Sequence, residues 1–447
     1  MTKIAMIGAG SFVFTRDIIT DILSYPSLTD STITLMDIAK DRLELMAAFT
    51  RRMVEQRGFK AEVTSTTDRR AALEGADFVI ISIRAGGWEN VLKDYEVTTA
   101  RGFESSPDAL GPGGIFAALR QIPAVLEICH DMEKICPDAL CINYSNPMAM
   151  ICWAINDYTK IKSIGLCPNA PSLAQRLANY AGVPFEEISY WAAGLNHYTW
   201  YLEFKWKGQD MYPILKEKFK DPEVYRKPNY LGKDAMGKDI EVDLVEVEMF
   251  HRFGYFTTGS NGHIPTYTPY FRRSPSMIEK YKIGIMGNAF KTATKRTEDE
   301  NEELKKQLAG GFKFPTKTLE FWSKGSASVM DSIMTGTPSR IDGNVKNNGL
   351  ITNLLEGCTV EVPCLVDKEG VHPCYVGALP SQCAGLNASS VFVQELAVKG
   401  IVEKDKTKIS QAVLLDPLTS TLLSIDEISD MLDVLFKIDK QFLKGFK

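Results

Sequence analysis

The chain has no dense stripe of lysine and arginine, no apolar stretch long enough to cross a bilayer, no internal repeat and no low-complexity tract. The first absence, together with a formal net charge of -5, argues against nucleic acid or an anionic membrane as the main partner. The second removes a membrane-spanning helix from consideration. Met1-Thr2-Lys3 leads straight into a strand-like run, without the apolar core and cleavage site of a secretory signal. The nine cysteines are odd in number and scattered, which suits a reducing compartment better than a disulfide framework. A cytoplasmic protein is the expectation.

What remains is an ordinary globular composition, 45% hydrophobic and 24% charged over 447 residues, enough for two domains or one large bilobal unit. Lys3–Ile7, Thr32–Met36, Phe78–Ile83, Leu140–Asn143 and Ser163–Leu166 read as apolar strands of a buried parallel sheet. Asp41–Glu55 and Pro123–Ile135 between them carry helical spacing. This alternation predicts an α/β fold with an N-terminal, Rossmann-type doubly wound parallel sheet. From about Ser172 the pattern is mixed. Asn196–Trp206 reads as a strand, Tyr281–Phe290 as a mixed stretch and Lys295–Gln307 as a solvated charged helix. Leu396–Lys399 and Ile428–Phe436 read as closing helices. The expected division is a nucleotide-binding domain over residues 1–170 and an α+β domain over 171–447 for substrate, metal and subunit contacts.

The turn after the first strand, Gly8-Ala-Gly10-Ser11-Phe12-Val13, keeps two glycines of a dinucleotide fingerprint. The first permits the tight turn, and the second lets the backbone approach a pyrophosphate at a helix N-terminus. Val13 stands where a third glycine is usual. Asp37, at the end of the second strand, can accept hydrogen bonds from a ribose diol and would repel a 2′-phosphate, so NAD is expected over NADP. Gly8, Gly10, Ser11, Phe12 and Asp37 are the cofactor candidates.

In such sheets ligands bind beyond the carboxyl ends of the strands. Asn143-Tyr-Ser-Asn146-Pro147 follows one strand and Cys167-Pro168-Asn169 another. A thiolate from Cys167 and an imidazole from His197 suit a borderline divalent ion, with substrate oxygens completing its shell. Either residue alone reads as easily as core packing. Asp108-Ala-Leu-Gly111-Pro-Gly113-Gly114 reads as a flexible loop that could close over a polar ligand, or simply as a tight turn. Asn261-Gly-His263-Ile-Pro-Thr-Tyr267-Thr-Pro-Tyr270 reads as a Pro-broken, irregular stretch. Tyr267 there is either core or a base whose pKa a cation lowers.

These residues, with Leu35-Met36-Asp37-Ile38, Gly86-Gly87, Gly194-Leu-Asn-His197 and Gly343-Asn-Val-Lys-Asn-Asn-Gly-Leu350, give the chain a resemblance over nearly its whole length. It resembles glycoside hydrolase family 4, the NAD- and metal-dependent glycosidases, most of all the α-galactosidase (melibiase-like) branch. The resemblance implies a lactate/malate dehydrogenase-like architecture, and NAD with Mn²⁺ or another divalent transition metal as cofactors. It also implies a small glycoside as partner and a homodimer or homotetramer. The implied reaction oxidises the sugar at C3, removes the C2 proton, eliminates the aglycone, adds water and returns the hydride, with no net redox change. Cys167 and His197 match the metal ligands and Asn146 the substrate-binding asparagine; Tyr267 matches the C2 base, with His263 as its rival. Asp108 and Asn169 are further substrate-binding candidates.

Three positions depart from the family pattern. Members acting on α-linked substrates usually carry His or Asp directly after the cysteine, where this chain has Pro168, which has no proton to give. The Glu that usually precedes the tyrosine is Thr266, and an Asp-Pro-His triplet becomes Asp416-Pro417-Leu418. The expected substrate is an unphosphorylated α-galactoside-like hexoside, with an α-uronide or a modified sugar as variants. A lactate/malate-type dehydrogenase and a non-catalytic NAD sensor are the competing readings.

Overall fold

The computed structural model describes residues 1–226, 243–283, 286–310 and 325–447. Residues 284 and 285 of the mixed Tyr281–Phe290 stretch lie outside this set. The strands are β1 (Lys3–Ile7), β2 (Thr32–Met36), β3 (Glu62–Thr66), β4 (Phe78–Ile81), β5 (Leu140–Asn143), β6 (Ser163–Leu166), β7 (Ile188–Leu195), β8 (Tyr198–Trp206), β9 (Gln209–Asp210), β10 (Ser339–Lys346), β11 (Thr359–Asp367) and β12 (Gly370–Pro373). Among the described residues they form one sheet in the order β3-β2-β1-β4-β5-β6-β10-β11-β7-β8-β9, with β12 beside β11.

The first six strands are parallel, in the order of a doubly wound nucleotide-binding sheet. Their sequences explain this. β4 is Phe-Val-Ile-Ile, buried throughout, and β1 is buried at four of its five positions, as expected where helices cover both faces. The parallel run ends where β10 pairs antiparallel with β6, Gly343 opposite Leu166. A Cβ on Gly343 would lie 2.6 Å from Ile164 Cδ1, so the crossing is close-packed around that glycine.

Three expectations about these segments need correction. Pro123 does not open its helix: the element runs Gly111–Ile135, about 38 Å long at 1.5 Å per residue. Pro123 sits on its exposed side, where a missing N–H bond is tolerated, and Pro112 stands in the first turn. For the same reason Gly111, Gly113 and Gly114 are not a flexible loop. They form the first turn of that helix, and a Cβ on Gly114 would fall 2.3 Å from Ala109 O. The glycines serve close packing. The stretch around His263 is likewise regular, a helix over Ser260–Tyr267 with Pro265 inside it.

The long helix also ties the molecule together. Buried Arg120 donates from Nη2 to Asp94 and from Nη1 to Asp439, both at 2.6 Å. Its neighbour Gln121 donates to Ile83 O (2.8 Å) and Asn146 O (3.2 Å) and accepts from Ala85 N (2.7 Å). One side chain thus clamps the segments that follow β4 and β5.

Candidate active site

Parallel strands place their carboxyl ends along one edge, so the turns after β1, β2, β4, β5 and β6 share a crevice. On its β1–β2 side the N–H groups of Gly8 and Ala9 donate to Met36 O at 2.9 and 3.0 Å. Gly8 has φ +92°, and a Cβ there would lie 2.1 Å from Ser82 O. Gly10 N–H donates to Asp37 Oδ2 at 2.8 Å, while Asp37 Oδ1 accepts from Ala39 N at 2.8 Å. Helix Phe12–Ile22 starts at once, with Ser11 at its cap. Its first N–H groups and the bare face of Gly10 form a cradle that fits a pyrophosphate. Phe12 departs from the expectation: its ring is buried edge-on against Phe49, which leaves only its backbone for a ligand.

On the β5–β6 side Cys167 directly follows β6, and His197 completes the two-residue turn between β7 and β8. His197 adopts φ +62°, a left-handed conformation that costs a branched side chain roughly 1 kcal/mol or more. The result is a Cys167 Sγ to His197 Nε2 separation of 3.5 Å. Two ligands of one metal ion, bound near 2.3 and 2.1 Å, stand about 3.3–3.6 Å apart, so the pair fits a shared ion. His197 Nδ1 lies 3.1 Å from Asp108 O. A carbonyl only accepts, so Nδ1 carries the proton and Nε2 offers its lone pair toward the thiol. Burial and the neighbouring His263 hold this imidazole well below its usual range, in the neutral ligating form. Burial, with the Glu361 carboxyl adding to it, pushes the Cys167 thiol up to about 12. A thiol so placed needs a cation to become a thiolate. Among the described residues no cluster of three or more His, Cys, Asp or Glu side chains forms a metal cage. Two protein ligands alone would leave further coordination positions on an ion held between them.

Of the remaining nominated residues, Asp108 and His263 touch this pair, Tyr267 bonds the neighbouring Asn196, and Asn146 and Asn169 follow the adjacent strands β5 and β6. Asp108 orients His197 through its carbonyl, and its carboxylate pairs with Arg84 at 3.2 Å. Asn169 opens the helix after Cys167, with its Nδ2 buried and without a partner among the described residues, and Asn146 Oδ1 accepts from Met148 N at 3.2 Å. His263 stacks its ring 4.2 Å from that of His197, and its Nδ1 lies 2.9 Å from Gly259 O. Burial keeps it neutral, so its Nε2 is a lone-pair acceptor. Tyr267 stacks on Tyr198 and donates to Asn196 O at 3.3 Å. Burial first, then Cys167, Glu361 and Asp108, pushes its phenol above the usual range. As a base it depends on a nearby cation.

Sequence reasoning missed Glu361. It is wholly buried on β11, with Asn344 Nδ2 3.4 Å from Oε1 and Thr199 Oγ1 against Oε2. Thr199 Oγ1 is also 2.7 Å from Leu195 O. Thr199 has one hydroxyl hydrogen to share between the Leu195 carbonyl and the Glu361 carboxyl. Burial pushes Glu361 up to about 8 against the Thr199 and Asn344 donors. The one visible signal was a lone acid in the apolar run Thr-Val-Glu-Val.

With this geometry in place, comparison with known proteins gives a direct result. The family model described as "Family 4 glycosyl hydrolase" matches residues 3–183, and that of the family 4 C-terminal domain matches residues 192–419. The chain is a family 4 glycosyl hydrolase. This member of the family is 33% identical over 451 residues to an α-galactosidase of Bacillus subtilis (strain 168), covering 100% of each chain. Its fold matches a 6-phospho-α-glucosidase from gut microorganisms solved with NAD and Mn²⁺, with a TM-score of 0.83, 20% identity and 100% of both chains covered. Malate dehydrogenase of Cryptosporidium parvum matches at a TM-score of 0.53 and 14% identity, over 90% of this family 4 chain and 100% of the other. The doubly wound, dehydrogenase-like architecture expected from the sequence is the one observed.

Proposed function

We propose that this family 4 hydrolase cleaves unphosphorylated α-galactosides, using NAD and a divalent transition metal such as Mn²⁺. The observation that carries the reading is the Cys167–His197 pair, 3.5 Å apart, beside a dinucleotide-binding turn on the same sheet edge. The names of similar proteins support it: the α-galactosidase for the sugar and the NAD–Mn²⁺ complex for the cofactors. When bound, the nicotinamide accepts and returns the C3 hydride while the metal polarises the oxidised sugar and acidifies its C2 proton.

The chain's own residues do the rest. Gly8, Gly10 and the first turn of helix Phe12–Ile22 hold the pyrophosphate, and Asp37 receives the ribose hydroxyls. Cys167 and His197 hold the metal, with Asp108 fixing the tautomer of His197. Asn146 and Asn169 bind sugar hydroxyls. Tyr267 takes the C2 proton at its phenolate oxygen, with His263 Nε2 as the alternative acceptor. Pro168 provides no acid for the leaving group, so water protonates it and good leaving groups react fastest.

The test is a nitrophenyl glycoside panel, α and β, galacto, gluco and glucurono, assayed on metal-stripped enzyme with NAD⁺, Mn²⁺ and thiol reductant each omitted in turn. Nitrophenol release from the α-galactoside that requires both cofactors, without net NADH, is expected. Accumulating NADH would indicate a dehydrogenase, and NAD binding without turnover a sensor. The nine scattered cysteines support a cytoplasmic enzyme, the low density of basic residues supports a small molecule over nucleic acid or membrane as its partner, and the family's habit supports a homodimer or homotetramer.

A further inference from the structure

The segment after β4 stands between the turns nominated for the two ligands. In the sheet order β3-β2-β1-β4-β5-β6 it has the glycine turn of β1 on one side and the Asn146 turn of β5 on the other. It packs directly on the first, since a Cβ on Gly8 would fall 2.1 Å from Ser82 O. Its hold on the second runs through two side chains. Ile83 N–H donates to Ser145 Oγ at 2.9 Å. Gln121 then bonds three backbone groups at once: Nε2 donates to Ile83 O (2.8 Å) and Asn146 O (3.2 Å), and Oε1 accepts from Ala85 N–H (2.7 Å).

This set of partners calls for a primary amide. Two carbonyls need two hydrogens from one atom, and the N–H of Ala85 needs an acceptor beside them. A carboxylate has no hydrogen to give, a guanidinium or ammonium has no acceptor, and a hydroxyl has a single hydrogen. The partners also fix which way the amide faces. At 2% exposure Gln121 sits within the wall of the crevice, so its influence on a ligand passes through what it holds.

What it holds are segments that carry nominated residues. Ile83 and Ala85 flank Arg84, and bonds to both fix the backbone from which Arg84 reaches Asp108 at 3.2 Å. The Asp108 carbonyl in turn meets His197 Nδ1 at 3.1 Å. Asn146 is gripped by its own carbonyl, and Met148 N–H occupies its Oδ1, so the amide offers a sugar oxygen its Nδ2 hydrogens. One buried side chain thus registers the sugar-binding asparagine against the segment that abuts the glycine turn.

We infer that Gln121 is a positioning residue: it sets where Asn146 meets the sugar relative to the nucleotide turn, and it acts through Asn146. This rests on the glycosidase reading and goes beyond it by naming what keeps the grip on the sugar in register with the cofactor site.

The experiment is a double-mutant cycle over wild type, Gln121→Met, Asn146→Ala and the double variant. It reads kcat and KM on nitrophenyl α-galactoside, and equilibrium binding of galactose to the NAD- and Mn²⁺-loaded protein. Methionine matches glutamine in length and has no N–H. Gln121→Asn, one methylene shorter, keeps the amide but spans less, and replaces methionine in the cycle if that variant does not fold. NAD affinity and melting temperature report folding. The expected result in Gln121→Met is kcat/KM lower by about 10- to 100-fold and galactose affinity lower by about 10-fold. NAD affinity should hold, because the glycine turn is bonded to Met36 and Asp37 instead. In the Asn146→Ala background the same substitution should cost less than about 3-fold, since the residue it positions is gone. Galactose binding closes the cycle where turnover is too slow to measure. Equal losses in both backgrounds would overturn the inference, as would unchanged kcat/KM in a folded Gln121→Met. A wild type that neither cleaves the galactoside nor binds galactose would sink the hydrolase reading and this one together, whereas additive losses in an active enzyme would sink this one alone.

Discussion

The two ends of the crevice are built differently. The nucleotide end is local and made largely of backbone: Gly8, Gly10, Ser11 and Asp37 come from one β-α-β unit, and their bonds run between Gly8, Ala9, Met36 and Asp37. The sugar end is assembled from side chains far apart in sequence. Cys167 meets His197 across 30 residues, His197 meets Asp108 across 89, and Thr199 meets Glu361 across 162. A backbone site tolerates almost any side chain that leaves its glycines alone, whereas a side-chain site changes specificity with single substitutions. The first suits a cofactor used in every turnover, the second a substrate that differs between relatives.

Substitutions can break or sharpen this contrast. The largest effect is expected at Cys167→Ser, which removes the soft ligand: turnover should fall by more than about 100-fold while NAD affinity holds. Metal content by elemental analysis and NAD titration check both halves, and unchanged activity would sink the shared-ion assignment. Gly8→Ala should act in the opposite sense. Its Cβ would meet Ser82 O at 2.1 Å in a left-handed backbone, so a stability loss of about 3 kcal/mol with weakened NAD binding is expected in urea unfolding.

Glu361→Gln probes the buried acid beneath the metal pair. The wild-type carboxyl is pushed from its usual range up to about 8, so the folded protein keeps a proton that the unfolded chain gives up. Stability from this group is full at acid pH, falls as pH rises through about 5 to 8, and is flat above, a change on the order of a few kcal/mol. Metal-free wild type should lose stability in that direction, and the glutamine variant should show a shallower slope, keeping the share from the other buried carboxyls Asp94, Glu246 and Asp416. Asp37→Ala should be the mildest, weakening NAD about 10-fold by isothermal titration and narrowing its margin over NADP. Equal loss of sugar affinity in that variant would show that the two ends are not separable.

The same contrast decides what the sequence could reveal. β1, β2, β5 and β6 were legible to the residue because double-sided burial makes them short apolar runs. β3, Glu-Val-Thr-Ser-Thr, was missed because an edge strand keeps polar residues, and β10 because Gly343 interrupts it for close packing. Gly8 and Asp37 were readable because their spacing is local. Cys167 and His197 were readable as a pair from thiolate and imidazole chemistry beside the nucleotide turn, and the family resemblance sharpened that reading. Glu361 and Gln121 were invisible, because their roles arise from partners that topology alone supplies. The glycines at 111–114 misled: small residues that permit flexibility in isolation permit contact in a packed helix.

The tie from Arg120 to Asp94 and Asp439 has a consequence for how the enzyme is made. A ribosome delivers the nucleotide half first, and that half can collapse around β1 to β6 while the rest is still being synthesised. Arg120 then holds only the nearer of its two carboxylates, because Asp439 emerges 319 residues later. β10 and β11 also arrive late, to be inserted between β6 and β7. The crevice thus receives this brace only after the last strand, Gly370–Pro373, has been delivered, and until β10 and β11 emerge the growing chain is a nucleotide-binding sheet with an unfinished edge.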